Sequence, residues 1–209
     1  MSTTHSGLVS RAEVINGAQL TYSRDSFSGN IPKWDVLLNR FRGRTDLTFM
    51  EIGSYEGRSA RWLLEQFPGA QLHCIDTFEG AVTERHDDTS HTQLDWLRQR
   101  FMINIIEHAH RVHVYAGLSQ EVLRSMDSSP RFDFIYIDGS HAAPDVLEDG
   151  VLAWRMLKPG GIMIFDDYDW HHYEDELLNP QPAVDAFVTV YANQLRVLDV
   201  GHQVCVERI

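Results

Sequence analysis

Cysteine is scarce in this chain, with only Cys74 and Cys205 among 209 residues and no C-x-x-C pair. That leaves no basis for a zinc knuckle or a redox dithiol. Both sit in apolar stretches that read as strands, so they are expected to be small buried hydrophobes. Basic residues are also few. Lys and Arg total 18 against 30 Asp and Glu, a formal net charge of −12, and no basic cluster occurs. Affinity for nucleic acid rests on cationic side chains that neutralise phosphates, so no nucleic-acid partner is expected. Anionic membrane surfaces are disfavoured for the same reason. No apolar run approaches the roughly 20 residues that span a bilayer. Residues 1–14 are polar and lack the apolar core of a signal peptide, which makes the cytoplasm the expected location. Repeats and low-complexity tracts are absent too.

What the chain does have is enough apolar content, 43%, for a single α/β domain. Residues 1–30 show little periodicity and read as an N-terminal arm or lid. The domain proper is expected over 31–209. Pro32 suits the first turn of a helix whose Trp34, Leu37, Leu38 and Phe41 share one face, with Gly43 as its stop. Strands and helices then alternate. Strands are expected at 47–52, 71–75, 112–115, 132–137 and 162–165. Helices are expected at 59–67, around Leu94, Leu97, Phe101 and Ile105, at 119–126, from Pro144 with Leu147, Val151 and Trp154 inward, and from Pro182 with Val184, Phe187, Val188 and Tyr191 inward. A polar loop covers 80–91. Segments 195–200 and 203–207 are separated only by Gly201 and His202, which forces an antiparallel hairpin. The pattern is a doubly wound, Rossmann-like seven-stranded sheet, mostly parallel with an antiparallel C-terminal strand.

Ligands of such sheets bind beyond the carboxyl ends of the strands, where strand order reverses. Glu51-Ile52-Gly53-Ser54-Tyr55-Glu56-Gly57 stands there, directly after the first strand. Gly53 and Gly57 permit a tight turn and close approach of a ligand, and the next helix aims its free N–H groups at the same place. The spacing is G-x-x-x-G and not the G-x-G-x-x-G of pyrophosphate binders. Asp76 ends the second strand, placed to accept hydrogen bonds from ribose hydroxyls. It points to a nucleoside without choosing between NAD(P) and S-adenosylmethionine (AdoMet).

Two further acidic motifs end neighbouring strands: FDFIYIDGSH, with Asp138 and His141, and GIMIFDDYDW, with Asp166 and Asp167. Three converging carboxylates repel one another, which raises a pKa or demands a cation. A hard divalent ion such as Mg²⁺ resolves that repulsion, although strand-end aspartates also cap helices. His141 is either a general base or a helix-capping residue.

Residues 49–59 (FMEIGSYEGRS), Asp76, the segment from Ala116 to Gln120 and the final hairpin together resemble the class I AdoMet-dependent methyltransferases in order and spacing. The resemblance implies a methionine-side pocket from Glu51, Gly53, Ser54, Tyr55, Gly57 and Ser59. It implies a ribose site at Asp76 and Thr77, and an adenine site at Phe78, Gly117, Ser119 and Gln120, with Asp138 also facing the cofactor. Asp138 with Asp166 and Asp167 is similar to the metal ligands of catechol and sugar O-methyltransferases. The D-x-x-H of Asp138 to His141 is closer to the sugar group, the macrocin O-methyltransferase-like enzymes. The implied activity is Mg²⁺-dependent O-methylation of a vicinal diol on a small polyhydroxylated acceptor, with Asp138 and His141 catalytic. Related enzymes are often oligomers. A metal-independent methyltransferase and an NAD(P)-binding oxidoreductase are the alternatives. The loop 168–181, with Asp169, Trp170, His171, His172 and Tyr173, suits contact with a polar ring.

Overall fold

The computed structural model describes residues 13–15, 18–80 and 96–209. Residues 1–12, 16 and 17 of the arm, Leu94 and all of the polar loop 80–91 except its first residue therefore lie outside the described residues. A short hairpin, β1 (Glu13–Ile15) and β2 (Ala18–Leu20), precedes the main body. The main sheet contains β3 (Thr48–Ile52), β4 (Gln71–Asp76), β5 (Val112–Ala116), β6 (Phe132–Ile137), β7 (Leu157–Phe165), β8 (Leu195–Val200) and β9 (Val204–Arg208). Its order is β5-β4-β3-β6-β7-β9-β8, with β9 antiparallel to both neighbours and the other pairings parallel. The sheet is the doubly wound, seven-stranded one expected, and its strand order reverses between β3 and β6.

Helices cover both faces: α1 (Ile31–Leu37), α2 (Arg58–Gln66), α3 (Leu97–Asn104), α4 (Ser119–Ser125), α5 (Ala143–Trp154) and α6 (Pro180–Val190). One core gathers Trp34, Leu38, Phe41, Leu63, Phe67 and Phe101 against Phe49 and Phe134 of the sheet. The opposite core packs Leu123, Val146, Trp154, Val184 and Phe187 against Ile135, Met163 and Phe165. Each fully buried large apolar side chain contributes about 1.5–3 kcal/mol. Cys74 and Cys205 are free, buried thiols, one on each of two interior strands.

Several local expectations are corrected. The first helix is α-helical only to Leu37 and tightens to a 3-10 turn at Leu38–Phe41, which still buries Leu38 and Phe41. The last helix starts at Pro180, two residues before Pro182, because Asn179 ties its side chain to the backbone of Tyr173 and sets the chain into the first turn. α5 buries Val146, Asp149, Gly150, Ala153 and Trp154. Leu147 and Val151 lie at its margin. That stripe follows helical spacing but contains an acid and a glycine, so hydrophobicity alone points about one residue round the helix. Gly150 is there because a Cβ would meet the Phe165 ring at 2.8 Å. β7 begins at Leu157 and absorbs the Lys158-Pro159-Gly160-Gly161 turn as an irregularity, since pairing jumps from Phe132↔Leu157 to Phe134↔Ile162.

Candidate active site

The reversal between β3 and β6 brings two loops into contact. Gly53 has φ +85°, and a Cβ there would lie 1.8 Å from the carbonyl oxygen of Asp138. Only glycine fits that close approach. Its N–H donates to the carbonyl of Ile75 at 2.8 Å, so the turn is bound to β4 as well. Gly57, at φ +78°, caps α2 in the left-handed region.

Three other residues among those described adopt positive φ without being glycine: Tyr55 (46°), Phe78 (55°) and Asp167 (56°). Each such residue costs about 1–3 kcal/mol and persists only where its surroundings enforce it. Two are enforced by one carboxylate. Asp76 accepts from the Tyr55 N–H at 2.7 Å through Oδ2 and from the Phe78 N–H at 2.5 Å through Oδ1. The strand-end acid read as a ribose ligand therefore also shapes the loops on either side of that position. Thr77 Oγ1 accepts from the Glu79 N–H at 3.3 Å. The Phe78 ring packs on Phe101 with centroids 5.2 Å apart. The Gly117 N–H donates to the Asp76 carbonyl at 3.0 Å, which brings the start of α4, with Ser119 and Gln120, to the same end of the sheet.

Beneath the glycine turn lies Glu51, fully buried, receiving the Ser59 hydroxyl at 2.5 Å. Burial pushes its pKa up to about 7, with the neighbouring Asp76 charge adding to the rise and the hydroxyls of Ser54 and Ser59 opposing it. A small cleft lined by Gly53, Ser54, Tyr55, Ser59 and Asp138 opens above it. The segment 20–28 covers that cleft. Asn104 exchanges two hydrogen bonds with Thr21, the Ser23 N–H donates to Glu56 at 2.6 Å, and Phe27 is buried against Trp34.

The acidic residues meet a few residues further along the strand ends. Tyr136, two positions before Asp138, is hydrogen-bonded through its hydroxyl to Asp138 Oδ2 at 2.9 Å and to Asp166 Oδ2. Asp166 Oδ2 also accepts from Gln203 at 3.0 Å, and Gln203 is itself held by the Trp34 indole N–H at 2.9 Å. The Asp167 N–H donates to Asp166 Oδ1 at 2.8 Å. His141 places Nε2 2.8 Å from Asp167 Oδ2 and stacks its ring on Trp170 at 4.6 Å. Burial, then the charges of Asp166 and Asp167, hold the Asp138 carboxyl well above the usual carboxylate range. Asp166 is raised as well, by burial and by Asp167.

The only group of three potential ligand atoms among the described residues is Asp166, Asp167 and His202. Asp138 stands beside it, joined to Asp166 through Tyr136. Sequence reading brought out the three acids and His141, which the structure gathers here, and missed Tyr136, Gln203 and His202. A tyrosine two residues before a strand-end acid shares its face of the strand, which is a usable signal. His202 had none, because it looked like a turn residue.

Residues 50–168, more than half of the chain, match the methyltransferase domain family. The chain belongs to that family. This removes the NAD(P) oxidoreductase alternative. The O-methyltransferase TomG of Streptomyces achromogenes, from tomaymycin synthesis and solved with AdoMet, has the same fold at a TM-score of 0.60. It is 20% identical, over 85% of this chain and 79% of TomG. MycE methyltransferase of the mycinamycin pathway, solved with Mg, S-adenosylhomocysteine and mycinamycin VI, gives 0.59 at 17% identity, over 88% of this chain and 50% of MycE. The protein R132 of Acanthamoeba polyphaga mimivirus is 26% identical over 153 residues, 73% of this chain. The chain spans 63% of that relative's length. Among the described residues no helix is long and apolar enough to cross a membrane.

Proposed function

We propose that this chain is a divalent-cation-dependent O-methyltransferase acting on neighbouring hydroxyls of a small polyhydroxylated acceptor, with a glycoside preferred to a catechol. The observation that carries the reading is the convergence of Asp138, Asp166, Asp167 and His141 beside the glycine turn. Burial and mutual repulsion raise the Asp138 and Asp166 carboxyls, a cost that a divalent ion would relieve, and oxygen-rich donor sets of that kind suit such an ion. The TomG and MycE structures, with their cofactor and, in MycE, Mg and a macrolide, agree with it.

AdoMet would supply an electrophilic sulfonium methyl, and a cation at Asp138, Asp166 and Asp167 would supply Lewis acidity, Mg²⁺ being the ion expected of carboxylates alone. The chain's own residues do the rest. Glu51, Gly53, Ser54, Tyr55, Gly57 and Ser59 receive the methionine end. Asp76 and Thr77 hold the ribose, and Phe78, Gly117, Ser119 and Gln120 bound the adenine. Segment 20–28, part of the arm 1–30, excludes water from the cleft. Asp138, at the junction of cofactor cleft and acid cluster, orients the reacting hydroxyl. His141 takes the hydroxyl proton through Nδ1, the ring nitrogen with no hydrogen-bond partner, while Nε2–H donates to the Asp167 carboxylate, which stabilises the imidazolium that results. The aromatic loop from Tyr168 to Tyr173 faces the acceptor, and a homo-oligomer is the assembly favoured by analogy.

His141→Ala should lower the transfer rate by about 10²-fold or more while leaving AdoMet affinity within about twofold. Calorimetry of AdoMet binding alongside single-turnover transfer measures both. Unchanged transfer in the variant would exclude His141 as the base.

A further inference from the structure

We propose that His202 is a ligand of the cation centre together with Asp166 and Asp167, and that its imidazole makes the centre select Mn²⁺ and Co²⁺ over Mg²⁺. This rests on the cation reading above and specifies which ion that centre takes.

The hairpin turn between β8 and β9 carries His202 to the carboxyl end of β7. Its carbonyl accepts from the Tyr168 N–H at 2.8 Å, which fastens the turn to the loop that follows Asp167. On the side chain, Nε2 lies 3.3 Å from Asp166 Oδ1 and 3.6 Å from Asp167 Oδ1. Donors at right angles around an ion with bonds near 2.1 Å stand about 3 Å apart, close to the two separations from Nε2, and one ligand atom from each of the three residues lies within 4.8 Å of the others. The other ring nitrogen is also committed: Nδ1 donates to Asp169 Oδ1 at 2.5 Å. A carboxylate on the far nitrogen fixes the tautomer and turns Nε2 towards the ion, the arrangement that metal-binding histidines commonly show.

The remaining contacts favour the same assignment. Asp166 Oδ2 is occupied by Tyr136 and Gln203, while Oδ1, which accepts the Asp167 N–H, is the oxygen that faces His202 Nε2. Asp167 divides its oxygens, with Oδ2 towards His141 and Oδ1 towards His202. The turn leaves His202 half-exposed, so water can complete the shell. Carboxylate oxygens alone suit Mg²⁺, which prefers an all-oxygen octahedron. One imidazole nitrogen shifts the balance towards first-row transition ions.

The test is Mn²⁺ and Mg²⁺ titration of the full chain by calorimetry, with pulsed electron paramagnetic resonance of the bound Mn²⁺ to detect directly bonded ¹⁴N. Three proteins are compared: wild type, His202→Gln and His141→Gln, the last because His141 also lies near Asp167. The expected result is a preference for Mn²⁺ of at least about tenfold and a ¹⁴N coupling that survives His141→Gln. Both should be lost in His202→Gln, whose melting temperature serves as the check on folding. Mn²⁺ bound with no His202-dependent coupling, and with the same Mn²⁺ to Mg²⁺ ratio in His202→Gln, would overturn the assignment and leave the cation centre standing. Binding of neither ion to wild type would overturn both.

Discussion

Asp76 carries two tasks that a sequence cannot separate. Its carboxylate pins Tyr55 and Phe78 in left-handed backbone, and it stands where a ribose would be held. Replacing it with alanine removes both backbone anchors and the hydroxyl acceptor together. Asp76→Ala is expected to weaken AdoMet binding by at least about tenfold, about 1.4 kcal/mol. Calorimetric titration decides the point, and an unchanged Kd would remove Asp76 from the cofactor site. At this scale the acids at strand ends were legible because charge at the end of an apolar run is conspicuous. Tyr136 could be placed on the face of Asp138 by strand alternation, but its bond to Asp166, and the role of Gln203, could not, because a single polar side chain inside an apolar pattern does not reveal a partner on another strand. His202 is the sharpest case, since its meaning depends on a hairpin pairing beside β7, a strand distant in sequence.

Among elements, the turn from β3 into α2 has the least freedom. A Cβ at Gly53 would overlap the Asp138 carbonyl, so the strands on either side of the reversal would have to move apart. Gly53→Ala is expected to destabilise the fold by about 2 kcal/mol or more, through that clash together with the cost of positive φ. Urea denaturation measures it, and a variant as stable as wild type would contradict the close approach. Strand and helix order was legible throughout, since apolar runs and Gly or Pro punctuation survive in any context. Helix faces were less so. α5 turns an acid and a glycine inward, Asp149 and Gly150, the glycine because no Cβ fits beside Phe165 and Phe187. The start of α6 was displaced by the side chain of Asn179, a tertiary contact with no signature in the local sequence.

For the whole molecule, acids concentrated at one end of the sheet set the dependence of stability on pH. Glu51 is raised from an ordinary value of 4.5 to about 7 in the folded protein. The folded state then binds this proton more tightly than the unfolded chain. Its contribution is complete below about pH 4.5 and is lost as pH rises through about 7, worth about 3 kcal/mol at most. Asp138 and Asp166 are raised as well and act in the same sense. His202 adds to it: burial opposes its charge, but Asp169, Asp166 and Asp167 outweigh that and raise its pKa. Buried His73, lowered to about 4, acts in the opposite sense below about pH 6.5, so urea midpoints in EDTA should fall between pH 6.5 and 8, Glu51→Gln should flatten part of the fall, and a saturating divalent cation should offset much of the rest. A midpoint that climbs over that range in EDTA would contradict the assignment of these buried acids.

The most direct test of the central claim is methyl transfer itself. The protein is incubated with methyl-labelled AdoMet and a panel of glycosides, catechols and amines, each with divalent cation and with EDTA. The account predicts label on a hydroxyl of a vicinal diol, lost in EDTA and restored by added cation. Transfer that proceeds equally in EDTA, or that labels an amine, would contradict it.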